Sequence, residues 1–586
     1  MASRRKRRGQ SPGLVNLGIA GGIVAILVPL ILQASQASPP AVAEFAPNAK
    51  QAIKKAPADQ AAAEAPGAPA GASPSSRPSA TARPSPSPSP TAPTLSIARN
   101  QLKACVGSPP RQTEDPQSPP CVPYWTGDNG GVTATGVTKD TISIVIPTPE
   151  GREKEYQALA NHFNKRYEFY GRKLVFAFCK PVSGSNLGSS DKRQQDADAA
   201  AAAAGCGGPK PFASSFYRSD NGRYFLEGMA CTYKTIAVGS YSPYDSTYMN
   251  KCAPRLYQYL MDSDNEFAHM GDWACRRLVG RNASHAAGND SSTPPQAITS
   301  RKRSFGIFLA PYYADDPVAN KKALRPLTDR LRQCGAPVPD ANIIVNPVAN
   351  AGAEGVPADP GSANNAMLKM KQNNVTSVFC LCNLFSFGAL QKASTSQNFH
   401  PEWLASTFGL IDINTSFVLG ASPSDQLANT FGLTFQPRQV LPALEPYNQA
   451  VQEGDPSIAP VTTTNDVQNR QEIYRPLLML AAGIQLAGPR LTVESFRDGL
   501  RKANFPNPVT ESRAGAVDVP SDGWSMTSDA AEWWWSNTAT GPFADSSSRP
   551  GTICYVDGGN RRKVGGWPTG RPDPFFTGTC DSGASG

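Results

Sequence analysis

Residues Gly136–Lys180 read GVTKDTISIVIPTPEGREKEYQALANHFNKRYEFYGRKLVFAFCK. β-Branched residues alternate from Thr141 to Ile146 and stop at Pro147, which predicts a strand. Tyr156, Leu159, Ala160, Phe163, Tyr167 and Tyr170 then recur at spacings of three and four, the apolar stripe of a helix, with Gly171 as its C-cap. Leu174–Phe178 predicts a second strand. Such a parallel strand-helix-strand unit sets a loop, here Pro147–Lys154, at the carboxyl end of its first strand, where open α/β sheets bind ligands.

Outward from this unit the alternation continues. Helices are expected over 192–204, 224–233 and 266–279, and strands over 211–216 and 235–239. The polar stretch Gly280–Arg303, rich in Gly and Ser, reads as the crossing from one lobe to another. Strands over 304–309, 342–345, 375–382, 403–407 and 430–435 then alternate with helices over 317–334, 363–372 and 385–395. From Leu441 the pattern turns helical, most clearly over 475–486 and 493–503.

GVTKDTISIVI followed by FNKRYEFYGRKL resembles the opening of the type I periplasmic-binding-protein family, the extracellular solute receptors related to leucine/isoleucine/valine-binding proteins. The resemblance can be followed from about Gly136 to Pro437. It implies an α/β fold of two doubly wound, Rossmann-like lobes with a ligand cleft between them. Lobe 1 covers about 136–285 plus late helices that return to it, lobe 2 about 300–440, and the whole domain 136–520. It also implies a small-molecule solute as ligand and an ABC permease as partner.

At 586 residues the chain exceeds one compact core, and 55 prolines with only 18% charged residues indicate a globular body carrying a disordered piece. Net charge is +9, but Arg4, Arg5, Lys6, Arg7 and Arg8 supply five of those charges, leaving about +4 elsewhere. That leaves little support for a nucleic-acid partner. The basic segment 1–13 precedes Leu14–Leu32, an uncharged run long enough to span a membrane with the N-terminus cytoplasmic. The alternative is a cleaved signal peptide, with Ser35-Gln36-Ala37 or Ala41-Val42-Ala43 as cleavage site; the length of the apolar run favours the signal-anchor. The segment 33–100, Pro-, Ala- and Ser-rich from Ser38 to Thr94, reads as a disordered tether. Many Gram-positive relatives are lipoproteins, yet no cysteine precedes Cys105 here.

Twelve cysteines without a CxxC pair point to disulfides in an oxidising compartment rather than to zinc. Pairs of modest loop size are Cys105 with Cys121, which would staple a lead-in over 101–135, Cys179 with Cys206, and Cys554 with Cys580. Buried free thiols are the alternative. In the tail, 521–586, EWWWSNTATGP and GTICYVDGGNRRKVGGWP read as two strands of a hairpin or cap with Asp557-Gly558-Gly559-Asn560 as a turn. Trp533 and Trp535 face one way and Trp534 the other. Packing accounts for them more readily than stacking on a sugar or aromatic ligand.

Signatures of catalysis are missing: His162, His269, His285 and His400 stand far apart, and no HExxH, GxSxG, phosphate loop or GxGxxG occurs. No catalytic residue, metal or cofactor is expected, and an enzyme is not. Asp262-Ser263-Asp264-Asn265-Glu266 lacks the glycine of a calcium loop and reads as a helix N-cap. Binding residues are expected at strand ends: Thr148, Ser215, Tyr217, Ser240 and Tyr241 in lobe 1; Tyr312, Tyr313, Asn383, Phe385, Thr407 and Phe408 in lobe 2. By position, the family resemblance gives Ser215, Ser240 and Tyr241 the grip on an amino-acid carboxylate. It also implies an acid in lobe 2 for the ammonium group, where this chain offers Thr407 and Phe408, with Asp412, Asp315 and Asp316 the nearest acids.

Overall fold

The computed structural model describes residues 105–106, 111–112, 115–147, 151–180, 192–215, 223–239, 245–309, 317–346, 360–407, 411–412, 421–502, 523–539, 550–569 and 579–582. All belong to one compact unit, Thr91–Gly586. The basic segment, the expected membrane span and the tether lie outside them. Among the described residues no helix is long and apolar enough to cross a membrane.

The first sheet grows from β1 (Thr141–Pro147), buried along all but its first residue because it lies inside a parallel sheet. It pairs in parallel with β2 (Lys173–Cys179), from Thr141 opposite Lys173 to Pro147 opposite Cys179. Their connection, α1 (Glu153–Arg166), buries Tyr156, Leu159, Ala160 and Phe163. It stops before Gly171: Tyr167 is already extended, and Tyr170 and Gly171, both at positive φ, turn the chain into β2. After α2 (Lys192–Ala203) come β3 (Ala213–Ser215), α3 (Arg223–Glu227), β4 (Ile236–Gly239), α4 (Ser246–Lys251) and β5 (Leu256–Gln258). The order is β2-β1-β3-β4-β5, all parallel, so the switch point of this doubly wound sheet lies between β1 and β3.

The second lobe begins earlier than expected. Helix α5 (Ser263–Arg277), assigned to lobe 1 by the polar break after it, buries Phe267, Met270 and Trp273 in the second core. The crossing is Tyr259–Asp262, all buried and therefore without a polar signature. The break is instead a surface excursion that closes on itself, with Asn282 bridging Lys302 and Asn289 bridging Ala297. Asp290 ties it further by accepting from the backbone of Ser292 and Gln296.

Beyond this excursion come β6 (Phe305–Leu309), α6 (Pro317–Ala323), α7 (Arg325–Gln333), β7 (Ile343–Val345) and α8 (Pro360–Gln372). The chain continues through β8 (Ser377–Leu381), α9 (Leu384–Ser396), β9 (Glu402–Ala405), α10 (Ser424–Leu427) and β10 (Thr430–Thr434). The parallel part runs β7-β6-β8-β9-β10, the winding order of the first sheet repeated. Helices α11 (Pro446–Gly454), α12 (Thr464–Ala487) and α13 (Val493–Lys502) return to the first core through Tyr447, Leu478 and Phe496. Where α11 crosses α1, a Cβ on Gly454 would lie 1.8 Å from the Ala158 carbonyl oxygen. Gly454→Ala is therefore expected to push the helices apart and cost about 1–3 kcal/mol, read from the denaturation midpoint; an unchanged midpoint would show the contact to be loose.

The tail completes the second sheet rather than capping it from outside. β11 (Ala530–Ser536) runs antiparallel to β10, β12 (Thr552–Tyr555) continues outward, and β13 (Arg561–Arg562) pairs with the start of β11. Trp533 and Trp535 are buried on one face and Trp534 is half-buried on the other, the packing arrangement. Asp557, Gly558 and Gly559 all take positive φ and make the turn, though between β12 and β13, not between the two long strands.

All twelve cysteines are bonded. Cys105–Cys121, Cys179–Cys206 and Cys554–Cys580 are the pairs that loop size suggested. Cys231–Cys252, Cys275–Cys334 and Cys380–Cys382 are the other three.

Candidate cleft between the lobes

Among the described residues three segments join the lobes, and each meets the carboxyl ends of strands. The chain leaves β5 through Tyr259–Asp262; it leaves β10 through 435–445, from Phe435 in the second core towards Tyr447 in the first. The third segment, 524–530, lies along the first, with Gln258 N–H donating to Trp524 O (3.1 Å) and Met526 N–H to Gln258 O (3.0 Å). It then enters β11, where Ala531 pairs with Thr434, the last residue of β10. The carboxyl ends of both parallel sheets thus border one junction, the position at which doubly wound sheets bind ligands.

Arg561 locks two of these segments together. Its guanidinium donates to Asp529 Oδ1 (2.8 Å), Gln436 O (2.6 Å), Phe435 O (3.1 Å) and Asp529 O (2.9 Å). Beneath the same junction His269 contacts the Ser528 carbonyl through Nε2, and burial pulls its pKa down to about 4, so it stays neutral at physiological pH. Among the described residues no three His, Cys, Asp or Glu side chains converge as metal ligands.

Of the binding residues expected from the sequence, Thr148, Tyr217, Ser240, Tyr241, Tyr312, Tyr313 and Phe408 lie outside the described residues, as do Asp315 and Asp316. Ser215 ends β3 at the switch point of the first sheet and is buried there. The others have different roles. Thr407 is committed within lobe 2: its hydroxyl donates to Asp412 Oδ2 (2.6 Å) and accepts from Phe435 N–H (2.7 Å). Asn383 caps α9, its side-chain oxygen accepting from Ser386 N–H (2.8 Å). Phe385 turns away to a shallow pocket of about 470 Å³ on the flank of α8 and α9, beside Pro360, Asn364, Ala389 and Lys392.

Two acids at the lobe 2 side of the junction were harder to assign. Asp412 is fully buried; burial pushes its carboxyl up, opposed by the Thr407, Thr434 and Gln436 side chains. Glu266, one turn into α5, accepts from the Ser406 hydroxyl (2.5 Å) just beyond β9. It escaped the sequence because α5 was placed in the other lobe. The Asp262 carboxylate caps that helix, accepting from Asn265 N–H (3.1 Å) as its motif indicated. On the lobe 1 side, at the entry to α1, Arg470 pairs with Glu155 (2.9 Å) and Arg152 stands 4.0 Å from the same carboxylate. Both guanidiniums thus face one carboxylate at the entry to α1.

No protein-family model and no curated protein matches the sequence. Among solved structures, the chain is similar to a possible leucine/isoleucine/valine-binding protein from Rhodopirellula baltica, at 11% identity and a TM-score of 0.45, covering 71% of this chain and 96% of that one. It is similar to an ABC-transporter solute-binding protein from Rhodopseudomonas palustris in complex with 3,4-dihydroxybenzoic acid, at 9% identity and a TM-score of 0.46, covering 72% and 97%. A third is a fatty acid ABC transporter substrate-binding protein from Thermomonospora curvata, at 13% identity and a TM-score of 0.46, covering 75% and 96%.

Proposed function

We propose that this chain is an extracellular solute receptor whose two lobes close on a small polar organic molecule. The observation that carries the reading is the junction itself: two sheets of identical winding order present their strand carboxyl ends to one site crossed by three segments. Hinged closure of such lobes buries the ligand, and binding free energy then shifts an open–closed equilibrium. Glu266 and Asp412, bonded to Ser406 and Thr407 just beyond β9, are the acids at the lobe 2 strand ends that the ammonium group of an amino-acid solute would meet. The segment 14–32 would hold the protein in the cell membrane, the Pro-rich tether would carry the body away from it, and an ABC permease would take the solute. A sensor that retains its ligand would use the same cleft.

A thermal-shift panel of amino acids, amides, aromatic acids and fatty acids on the purified protein tests this. A true ligand at about 100 times its Kd stabilises the native state by about 2.7 kcal/mol, a rise of several degrees in Tm. The Ser240→Ala/Tyr241→Ala variant is expected to lose that rise while keeping its unliganded Tm. Absence of a shift with any solute class would count against the receptor.

A further inference from the structure

A buried chain of polar groups ties the crossing segments to lobe 1, and its charges do not balance. The Asp115 carboxylate, on the stapled lead-in, accepts from Arg475 NH1 of α12 (2.7 Å). Arg475 Nε donates to Gln471 Oε1 (2.9 Å), and the Gln471 amide donates to Glu445, the residue at the lobe 1 end of the second crossing. Asp115, Arg475 and Glu445 are all buried. One guanidinium therefore serves two carboxylates, and its direct ion pair goes to Asp115. Glu445 has an amide, the Val440 N–H of its own crossing and a more distant share of Arg475.

Among the described residues Arg475 is the cation that acts on Glu445. On the first crossing the Tyr259 hydroxyl donates to Gln117 Oε1 (2.6 Å), and the rings of Tyr259 and Tyr474 flank the Arg475 guanidinium without adding positive charge. Arg561, further along the junction, is bonded to Asp529 and to carbonyls of the second crossing.

We propose that Glu445 is a proton-operated latch on the second crossing: protonated, it lets the segment stay packed against α12 and the lead-in, and ionised, it drives the segment towards a hydrated, more open arrangement. The inference rests on the hinged-receptor reading, since it concerns the segment about which the lobes would move. Burial, only partly opposed by Arg475 and Gln471, pushes the Glu445 carboxyl up to about 7. A folded value above the ordinary one near 4.5 means that the packed crossing has its full stability below about 4.5 and loses it as pH rises through about 7. Acidification thus fixes the junction and mild alkalinity loosens it.

Hydrogen exchange of the full-length protein, corrected for the intrinsic pH dependence of exchange, tests the latch on peptides covering 436–446. Linkage from about 4.5 to about 7 predicts roughly tenfold less protection at pH 8 than at pH 6, while β1 and β8 stay unchanged. Glu445→Gln should hold the pH 6 protection throughout. Asp115→Asn removes the competing carboxylate, frees Arg475 for Glu445 and should move the transition down by at least one pH unit, which keeps the test valid should Glu445→Gln fold poorly. A flat pH course in the wild type, or the same course in both variants, would overturn the latch. Neither result depends on ligand, so the solute-receptor reading stands or falls separately on the thermal-shift panel.

Discussion

Glu402→Leu is expected to destabilise the protein by about 3–5 kcal/mol, because it leaves a guanidinium buried without its counter-ion. Glu402 opens β9 at the end of the second sheet away from the junction. Its carboxylate accepts from Arg303 Nε (2.7 Å) and NH2 (2.8 Å), the Ser377 hydroxyl (2.5 Å) and the His285 N–H (3.2 Å). Both charged side chains are 0% exposed. The cluster pins the 280–303 excursion to β8 and β9, so the segment that looked like an interdomain linker is held by a fully buried ion pair. Without Glu402, Arg303 loses both of its short carboxylate bonds, and its contact to Leu278 O is long at 3.4 Å. Adding Arg303→Met should recover about half of the loss, since a buried pair replaced whole costs far less than one broken, while Ser377 and His285 still lack their acceptor. Urea denaturation of the two variants decides it. Equal losses in both would mean that the bared guanidinium adds nothing to the cost of losing Glu402.

Where hydrophobic period alone sets an element, the sequence was readable. β1, α1 and β2 appear within a few residues of their expected limits because alternating Ile and Val and a three-four stripe of Tyr, Leu and Phe have few alternative foldings. Lobe membership was not readable from polarity. The true crossing, Tyr259-Leu260-Met261-Asp262, is buried, and the conspicuous polar run is tied down by Arg303. Strand β5 was missed because its three residues, Leu256, Tyr257 and Gln258, are too short for any period to register. In the site, residue type was a poor guide to role: Thr407 and Asn383 carry the right groups at the right strand ends, but local bonds to Asp412, Phe435 and Ser386 use them. Glu266 and the Glu445 cluster depend on contacts hundreds of residues apart in places, such as Asp115 with Arg475, which no local pattern encodes.

Trp533→Ala is expected to cost about 3–5 kcal/mol, and a chain ending at Asp529 to accumulate as aggregate rather than fold. β11 is not an ornament on the second lobe. Trp533 and Trp535, each 1% exposed, fill one face of the sheet, and on the other the Glu532 carboxylate accepts from Trp273 Nε1 (2.7 Å) and from Arg277 Nε (2.8 Å) and NH2 (3.2 Å). Truncation would bare the edge of β10, strip the Arg277 charge of its partner inside the core and remove Arg561 from the crossings. The point variant separates these effects, since it opens a cavity but leaves Glu532 and Arg561 in place. Its loss should appear in global denaturation without a change in exchange at 436–446 beyond that global term. If Trp533→Ala instead loosened that crossing selectively at unchanged global stability, the tryptophan would belong to the hinge rather than to the core. The brace formed by Arg561 would then have to be read as one part of a wider coupling between tail and junction.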